Sequence, residues 1–416
     1  MGCRQLWILT HLFLFCSFSS GNVPDMARHT LIDRTPEPRR VPDLGLTEVA
    51  SGSPTACLGA LPPPRQPRGR GARSNVTGRY ENQAYEMFDD GWGEDDPAPK
   101  QLRTITIKDS SRTIVTSNNS PDISFSRSIN PYRGCEHGCI YCYARPSHAY
   151  WGYSPGLDFE SVIFVKPDAP ALLEKQFSSP RYVPEPIVIG ANTDPYQPEE
   201  RERQTTRELL KVFARYNHPV SFITKSALCL RDVDILAPMA RKGLVRAAIS
   251  ITTLDRKLSR DMEPRAATPS KRLEAVKGLS DAGIPVTVMA APMIPALNDR
   301  ELEAILEASA KAGATTAGYV LLRLPLEIKE LFKEWLATTR PDSASHVMSL
   351  IRQMRGGQEY DSNWGTRGRG DGPYAKLLAA RFRKSVERLG LNRPAKGLRM
   401  DLFERPLATA TQGSLF

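Results

Sequence analysis

Three cysteines lie within one short stretch at the spacing C-x3-C-x2-C: Cys135, Cys139 and Cys142. Thiolates that converge from one loop are soft ligands, which select iron–sulfur clusters, zinc or copper(I). A four-iron cluster held by three cysteines leaves one iron without a protein ligand, whereas structural zinc takes four ligands. Because the next cysteine, Cys229, is far along the chain, the spacing favours an iron–sulfur cluster. A zinc site with His137 or His148 as fourth ligand is the alternative.

The residues on either side of the cysteines carry a resemblance. An aromatic residue, Tyr141, precedes the third cysteine, and the flanking segments are Asn130-Pro131-Tyr132-Arg133-Gly134 and Tyr143-Ala144-Arg145-Pro146. This stretch resembles the signature of the radical S-adenosylmethionine (SAM) superfamily, in the branch that contains spore photoproduct lyase. The resemblance implies a 4Fe–4S cluster on the three cysteines, with SAM bound to the remaining iron and Tyr141 against the adenine. It also implies reductive cleavage of SAM to a 5′-deoxyadenosyl radical, with electrons from a donor such as a flavodoxin or ferredoxin.

The chain beyond residue 101 alternates between strand and helix patterns. Apolar and β-branched runs typical of strands buried on both faces occupy residues 187–191, 220–224, 246–251, 286–290 and 317–322. Helical patterns at 199–216, 270–282 and 299–312 lie between them. With the segment that leads into Cys135 as the first strand, six strands alternate with helices, which predicts an α/β fold with a parallel sheet. Six such units resemble the partial TIM barrel, (β/α)6, of radical SAM enzymes.

The remainder of the chain divides into two flanking regions. After residue 325, helical patterns at 327–336, 343–354 and 374–389 surround a glycine-rich loop at 356–372. We therefore predict a radical SAM barrel at 101–325 and a helical C-terminal extension at 326–416. Residues 1–100 show little periodicity and include a run rich in Pro, Gly and Arg at 61–71, which predicts a disordered, basic N-terminal tail. Its first 25 or so residues are either signal-like or an artefact of the start site, with translation beginning at Met26.

Polar residues follow the second and third predicted strands, at the barrel end where such folds carry their sites. The turn after the second strand holds Asn192, Thr193 and Asp194. It resembles the segment that receives the amino group of SAM; a turn that caps the next helix is the alternative. Lys225 follows the third strand and is a candidate for the carboxylate of SAM or for a substrate anion.

The fourth and sixth predicted strands also end in polar residues. Ser250 and Thr252 alternate onto one face of the fourth, which predicts contacts with the ribose hydroxyls or carboxylate of SAM. Arg323 ends the sixth and is a candidate for a substrate anion, with an outward ion pair as the alternative.

The choice between candidate substrates depends on whether the chain provides a hydrogen-atom donor. Spore photoproduct lyase splits a thymine–thymine lesion in DNA and uses a cysteine downstream of the cluster as the donor. The only cysteine after the cluster here is Cys229, which makes it the candidate catalytic residue, although Leu228 and Leu230 beside it favour burial in the core. A radical SAM enzyme that modifies RNA or protein, and a zinc-binding nucleic-acid module without catalysis, are the alternatives.

Composition limits the remaining classes. The chain has 416 residues, a formal net charge of +10 and seven cysteines. The positive charge is compatible with DNA or RNA as a partner. Cysteines this scattered do not indicate a disulfide framework, and an oxygen-sensitive cluster predicts the reducing cytoplasm, with no membrane association.

Overall fold

The structure is a computed structural model that describes residues 69–81, 102–393 and 397–406. Its main sheet has seven strands in the order β10-β9-β8-β7-β6-β3-β2. The strands of this sheet are β2 (Val115–Ser117), β3 (Arg127–Ile129), β6 (Ile187–Ile189), β7 (Val220–Thr224), β8 (Val245–Ser250), β9 (Val286–Met293) and β10 (Thr316–Leu321). From β3 to β10 all neighbours are parallel, and only β2 runs antiparallel, at the edge. The six parallel strands confirm the predicted α/β partial barrel, and the sheet stays open because β2 and β10 do not pair.

Helices follow the strands of the sheet. They are α1 (Asp158–Ser161), α2 (Ala169–Ser178), α3 (Glu200–Arg203), α4 (Thr205–Arg215), α5 (Val233–Arg241), α6 (Arg256–Met262), α7 (Pro269–Asp281), α8 (Leu302–Lys311), α9 (Ile328–Thr339), α10 (Pro341–Gln353) and α11 (Gly372–Leu389). A separate three-stranded sheet combines β1 (Ile105–Lys108), β4 (Tyr132–Arg133) and β5 (Val162–Val165). No helix in the described part of the chain is long and apolar enough to span a membrane.

The core divides according to the alternation of side chains along each strand. Ile187 and Ile189 of β6 point outward into the cluster that the helices cover, while Val188 between them packs inside the barrel. Inside, Ile123 and Phe125 from the turn between β2 and β3 fill the barrel interior. Both faces of the strands are therefore buried, which explains why their sequences are apolar throughout.

Two predicted segments differ from the structure. The helix predicted at 199–216 is broken at Gln204, whose φ is 53°, into α3 and α4. The break lets the buried Glu200 carboxylate accept the amide of Thr206 at 3.0 Å in the first turn of α4. The helices of the C-terminal extension are present, but Leu378 and Val386 of α11 belong to the same core as the strands, so packing does not separate 326–416 from the barrel.

The predicted disordered tail is wrong for residues 69–81. Arg70 and Ala72 are buried, and this segment packs against the barrel. The reason is that Arg70 and the Gly71 amide bond to Glu160, a partner that tail composition cannot reveal. The predictions for 1–68, including the signal-like start, and for 82–100 lie outside the described residues.

Candidate functional site

The loop that carries the three cysteines follows β4. Two glycines set its path, since Gly134 and Gly138 have φ of 77° and 66° and side chains rarely adopt that region. A Cβ at Gly134 would lie 2.8 Å from the Val162 carbonyl oxygen. The Cys135 amide donates to Phe159 at 2.9 Å and the Ile140 amide donates to Met262 at 3.0 Å. These bonds to two different elements hold the loop at the carboxyl ends of the parallel strands.

All three thiols line one cavity. Its volume, including the part open to solvent, is about 840 Å³. Of the predicted SAM-binding residues, those that share this cavity are Tyr141, Asn192, Thr193, Asp194, Lys225 and Ser250. Tyr143 and Arg323 also line it. The sequence interpretation did not assign Tyr143 to the site. Its position two residues after Tyr141 could have indicated that it lies near the same cavity.

The turn after β6 joins the cysteine loop to β7. Asp194 accepts the Thr224 hydroxyl at 2.6 Å and the Lys225 amide at 2.8 Å, and His137 Nδ1 lies 3.3 Å from its carboxylate. Burial opposes ionisation of Asp194, but His137 and these donors outweigh it and lower its pKa to about 2. The Asp194 side chain is therefore occupied within the protein.

The side chains of the other two residues of that turn, Thr193 and Asn192, differ in whether they hydrogen-bond within the protein. The Thr193 hydroxyl donates to the Tyr132 carbonyl at 2.8 Å. The Asn192 amide nitrogen of the backbone donates to Asn130 at 2.8 Å, while the Asn192 side chain makes no hydrogen bond within the described ranges. Of the three, Asn192 is the one whose side chain remains available to a ligand in the cavity.

Tyr141 is held from behind by a buried network. Its hydroxyl donates to Glu263, which also accepts the Thr252 hydroxyl at 2.8 Å. The second oxygen of Glu263 accepts from Arg272, and both charged residues are almost completely buried. The sequence interpretation missed Glu263 because Tyr141, which it holds, lies 122 residues away in the chain, and it missed Arg272 because that residue acts through Glu263.

Two predicted site residues do not reach the cavity. β8 ends at Ser250, so the alternation that placed Thr252 beside Ser250 no longer applies; Thr252 is completely buried against Glu263 instead. Cys229 is also fully buried, in the core on the outer face of the sheet. Its thiol donates to the Ser226 carbonyl at 3.3 Å, and burial raises its pKa. The structure therefore does not bring the candidate hydrogen-atom donor to the site.

The donor set fits a cluster better than a single metal ion. Burial raises the pKa of Cys139 to about 12 and also raises the pKa of the other two cluster thiols, so a metal that binds here must displace their protons. Among the residues that the structure describes, no three His, Cys, Asp or Glu side chains are close enough together to hold one ion. His148 Nε2 bonds to the Val162 carbonyl at 3.0 Å. A zinc site that uses His137 or His148 is not assembled, whereas a cluster separates its ligands over several irons.

Comparison with known proteins agrees with this chemistry. A sequence profile of the radical SAM superfamily matches residues 129–308. An uncharacterised protein of Mycobacterium tuberculosis is 35% identical over 237 residues, which cover 56% of this chain and 70% of that protein. An uncharacterised protein of Methanocaldococcus jannaschii is 29% identical over 215 residues, 52% of this chain and 76% of that protein.

The fold is similar to that of spore photoproduct lyase complexed with dinucleoside spore photoproduct. The TM-score is 0.50 at 18% identity, over 68% of this chain and 79% of the lyase. With the profile match, the relatives and the three thiols in one cavity, the chain belongs to the radical SAM superfamily.

Proposed function

We propose that this protein is an enzyme that binds a 4Fe–4S cluster through Cys135, Cys139 and Cys142 and cleaves SAM reductively. The observation that carries the proposal is that the three thiols open into one cavity, which most of the predicted SAM-binding residues also line. When bound and reduced, the cluster supplies the electron that breaks a carbon–sulfur bond of SAM and forms a 5′-deoxyadenosyl radical. A 4Fe–4S cluster needs an electron donor, for which a flavodoxin or ferredoxin is suited. Its sensitivity to oxygen fits a reducing, cytoplasmic setting.

The residues of the cavity wall have distinct roles in this proposal. Tyr141 would pack against the adenine, and its hydroxyl bond to Glu263 keeps the ring in one orientation. Asn192 would accept from the amino group of SAM, and Ser250 would bond to the ribose. Lys225 Nζ, 5.8 Å from the centre of the Tyr141 ring, would attract the carboxylate of SAM. The apolar remainder of the cavity excludes water from the radical.

A substrate with an anionic group is the finer part of the proposal. Arg323 lines the cavity, with its guanidinium 5.7 Å from the centre of the Tyr143 ring. A second buried arginine, Arg355, donates to the carbonyl of Leu322, the residue before Arg323, at 2.8 Å. It also donates to the carbonyl of Thr366 at 2.8 Å. The Arg323 guanidinium in the cavity wall favours a phosphate or carboxylate. A nucleic acid, as in spore photoproduct lyase, meets this requirement.

The alternative substrates differ in the hydrogen-atom donor. A lyase reaction needs a donor near the radical, and Cys229 lies in the core instead. That placement favours the second candidate, an enzyme that modifies RNA or protein by hydrogen abstraction from the substrate, over lesion repair.

Anaerobic reconstitution tests the proposal. We expect about four irons per chain and release of 5′-deoxyadenosine from SAM in the presence of dithionite, measured by liquid chromatography. Colourless protein with stoichiometric zinc and no 5′-deoxyadenosine would overturn it. For the substrate, 5′-deoxyadenosine release is compared with and without added RNA, single-stranded DNA or lysate protein. Arg323→Gln should abolish only the substrate-dependent increase, and Arg300→Gln, an exposed arginine, serves as the control.

A further inference from the structure

Four residues upstream of the barrel, residues 69–72, cross the outside of the cysteine loop; we call them the strap. Arg70 is 1% exposed and Ala72 is completely buried. The Arg70 guanidinium donates to the Leu102 carbonyl at 2.7 Å and to the Thr104 hydroxyl at 3.1 Å. It also donates to the backbone carbonyl of Glu160. The strap is thus fixed to the barrel by one buried side chain that bonds to two separate segments.

Glu160 connects the strap to the cysteine loop. Its two carboxylate oxygens accept the amides of Gly71 and Ala72, each at 2.8 Å. The same carboxylate pairs with Arg145, and both side chains of this pair are fully buried. Arg145 Nε in turn donates to the Cys139 carbonyl at 2.9 Å. A continuous set of buried, charge-assisted bonds therefore runs from the strap amides to a cysteine of the cluster loop.

The strap also touches the loop directly. A Cβ at Gly71 would lie 1.8 Å from the carbonyl oxygen of Gly138, the residue just before Cys139. No side chain fits at that distance, and the obstacle is backbone, which cannot rotate away. A Cβ at Gly138 would meet the Glu160 carboxylate at 2.7 Å. The two glycines therefore let two backbone segments and one carboxylate pack in a single layer over the cluster site.

From these contacts we infer that the strap is part of the cluster site, with Arg70 and Gly71 as positioning residues for the cysteine loop. The inference rests on the proposed function, because it concerns the cluster that the three cysteines hold. The strap contacts the loop at Gly138 without lining the cavity, and it fixes the loop backbone through Glu160 and Arg145. Water access and hydrogen bonding around the sulfurs set the potential and the lability of a cluster. Displacing the strap therefore loosens the cluster while the barrel remains folded.

The test uses the full chain with two strap variants and one control. Gly71→Ala forces the strap away from Gly138, and Arg70→Gln removes its anchor without adding bulk. Gly397→Ala is the control, because a Cβ there meets nothing within 4 Å. Each protein is reconstituted anaerobically, and three properties are measured: iron per chain, the electron paramagnetic resonance spectrum of the reduced cluster, and the rate at which its visible absorption bleaches in air. Circular dichroism of the apo proteins shows whether the barrel is folded.

Both strap variants are expected to bleach about tenfold faster than the wild type, the lower range for lost outer-shell partners of a metal site, with altered spectra and unchanged circular dichroism. The Gly397→Ala protein should match the wild type. Wild-type iron content, spectrum and bleaching rate in Arg70→Gln would overturn the inference, even if Gly71→Ala fails to fold. Failure of the wild type itself to take up iron would refute the proposed function instead, so the two failures are distinguishable.

Discussion

The buried pair of Glu263 and Arg272 behind Tyr141 gives a quantitative prediction. The pair is nearly inaccessible to solvent, and Arg272 also donates to the carbonyls of Ala267 at 2.7 Å and Ser250 at 3.1 Å. Glu263→Gln keeps the shape of the side chain but removes the charge that Arg272 faces. Breaking a buried pair by removing one charge costs about 3–5 kcal/mol, since the partner charge stays uncompensated. We expect a decrease of that size in the free energy of unfolding.

A double replacement separates the charge effect from packing. Replacing both residues by Met removes both charges, and such replacements are often neutral or stabilising. The double variant should therefore be at least about 2 kcal/mol more stable than Glu263→Gln. Tyr141→Phe removes one hydroxyl from the same carboxylate and should cost only about 1 kcal/mol.

Urea denaturation of the apo proteins, followed by circular dichroism, measures the free energy of unfolding of the wild type and of these three variants. Glu263→Gln within about 1 kcal/mol of the wild type, or a double variant less stable than the single, would refute the reasoning. With reconstituted protein, Glu263→Gln should also weaken SAM binding, because a neutral amide oxygen accepts the Tyr141 hydroxyl less strongly than the carboxylate does. An unchanged SAM dissociation constant would show that the network serves only stability.

Three further predictions concern other sites. Cys139→Ala should lose most of its iron on reconstitution and all SAM cleavage, since two thiolates hold a cluster poorly; full iron content would refute the ligand assignment. Cys229→Ala should retain SAM cleavage and substrate turnover and lose about 1 kcal/mol of stability in urea denaturation, whereas loss of substrate turnover with normal 5′-deoxyadenosine release would restore it as donor. Burial lowers the pKa of His218 to about 3, from 6.5 in the unfolded chain, so only the unfolded state takes up this proton between those values. Its contribution should reduce the free energy of unfolding by about 1.4 kcal/mol for each pH unit below 6.5, and His218→Gln should remove that slope in urea denaturation at several pH values.

The strands were predictable because each is buried on both faces. The prediction for 220–224 coincides with β7 (Val220–Thr224), and those for the other strands are within a few residues of the observed bounds. A strand that is buried on both faces is apolar throughout, so its sequence is recognisable without a pattern of alternating polar and apolar residues. The helix at 199–216 was predicted as one element because its break depends on the carboxylate of Glu200, whose partners Tyr132 and Arg231 lie elsewhere in the chain.

Prediction of the site succeeded for residues close to the strand ends and failed beyond them. Asn192 and Lys225 follow directly from the topology of a parallel barrel and do line the cavity. Thr252 was assigned by extending strand alternation two residues past the end of β8. Cys229 was selected as the only cysteine after the cluster and for its place just past the third predicted strand. Its burial among the helices depends on how the segment after β7 turns away from the barrel end.

The cysteine loop shows why its supporting residues are invisible in the sequence. The loop contains no regular helix or strand between Cys135 and Cys142, so its shape depends on contacts from outside. Buried or half-buried carboxylate pairs surround it: Glu136 with Arg265, Glu160 with Arg145, Glu263 with Arg272, and Asp194 with His137. Breaking any one of them leaves a charge without its partner in a low-dielectric setting, so these pairs restrain the loop. Most of these partners belong to different elements of the chain. The cysteine motif therefore predicts the chemistry, whereas the contacts that hold the loop become visible only in the folded structure.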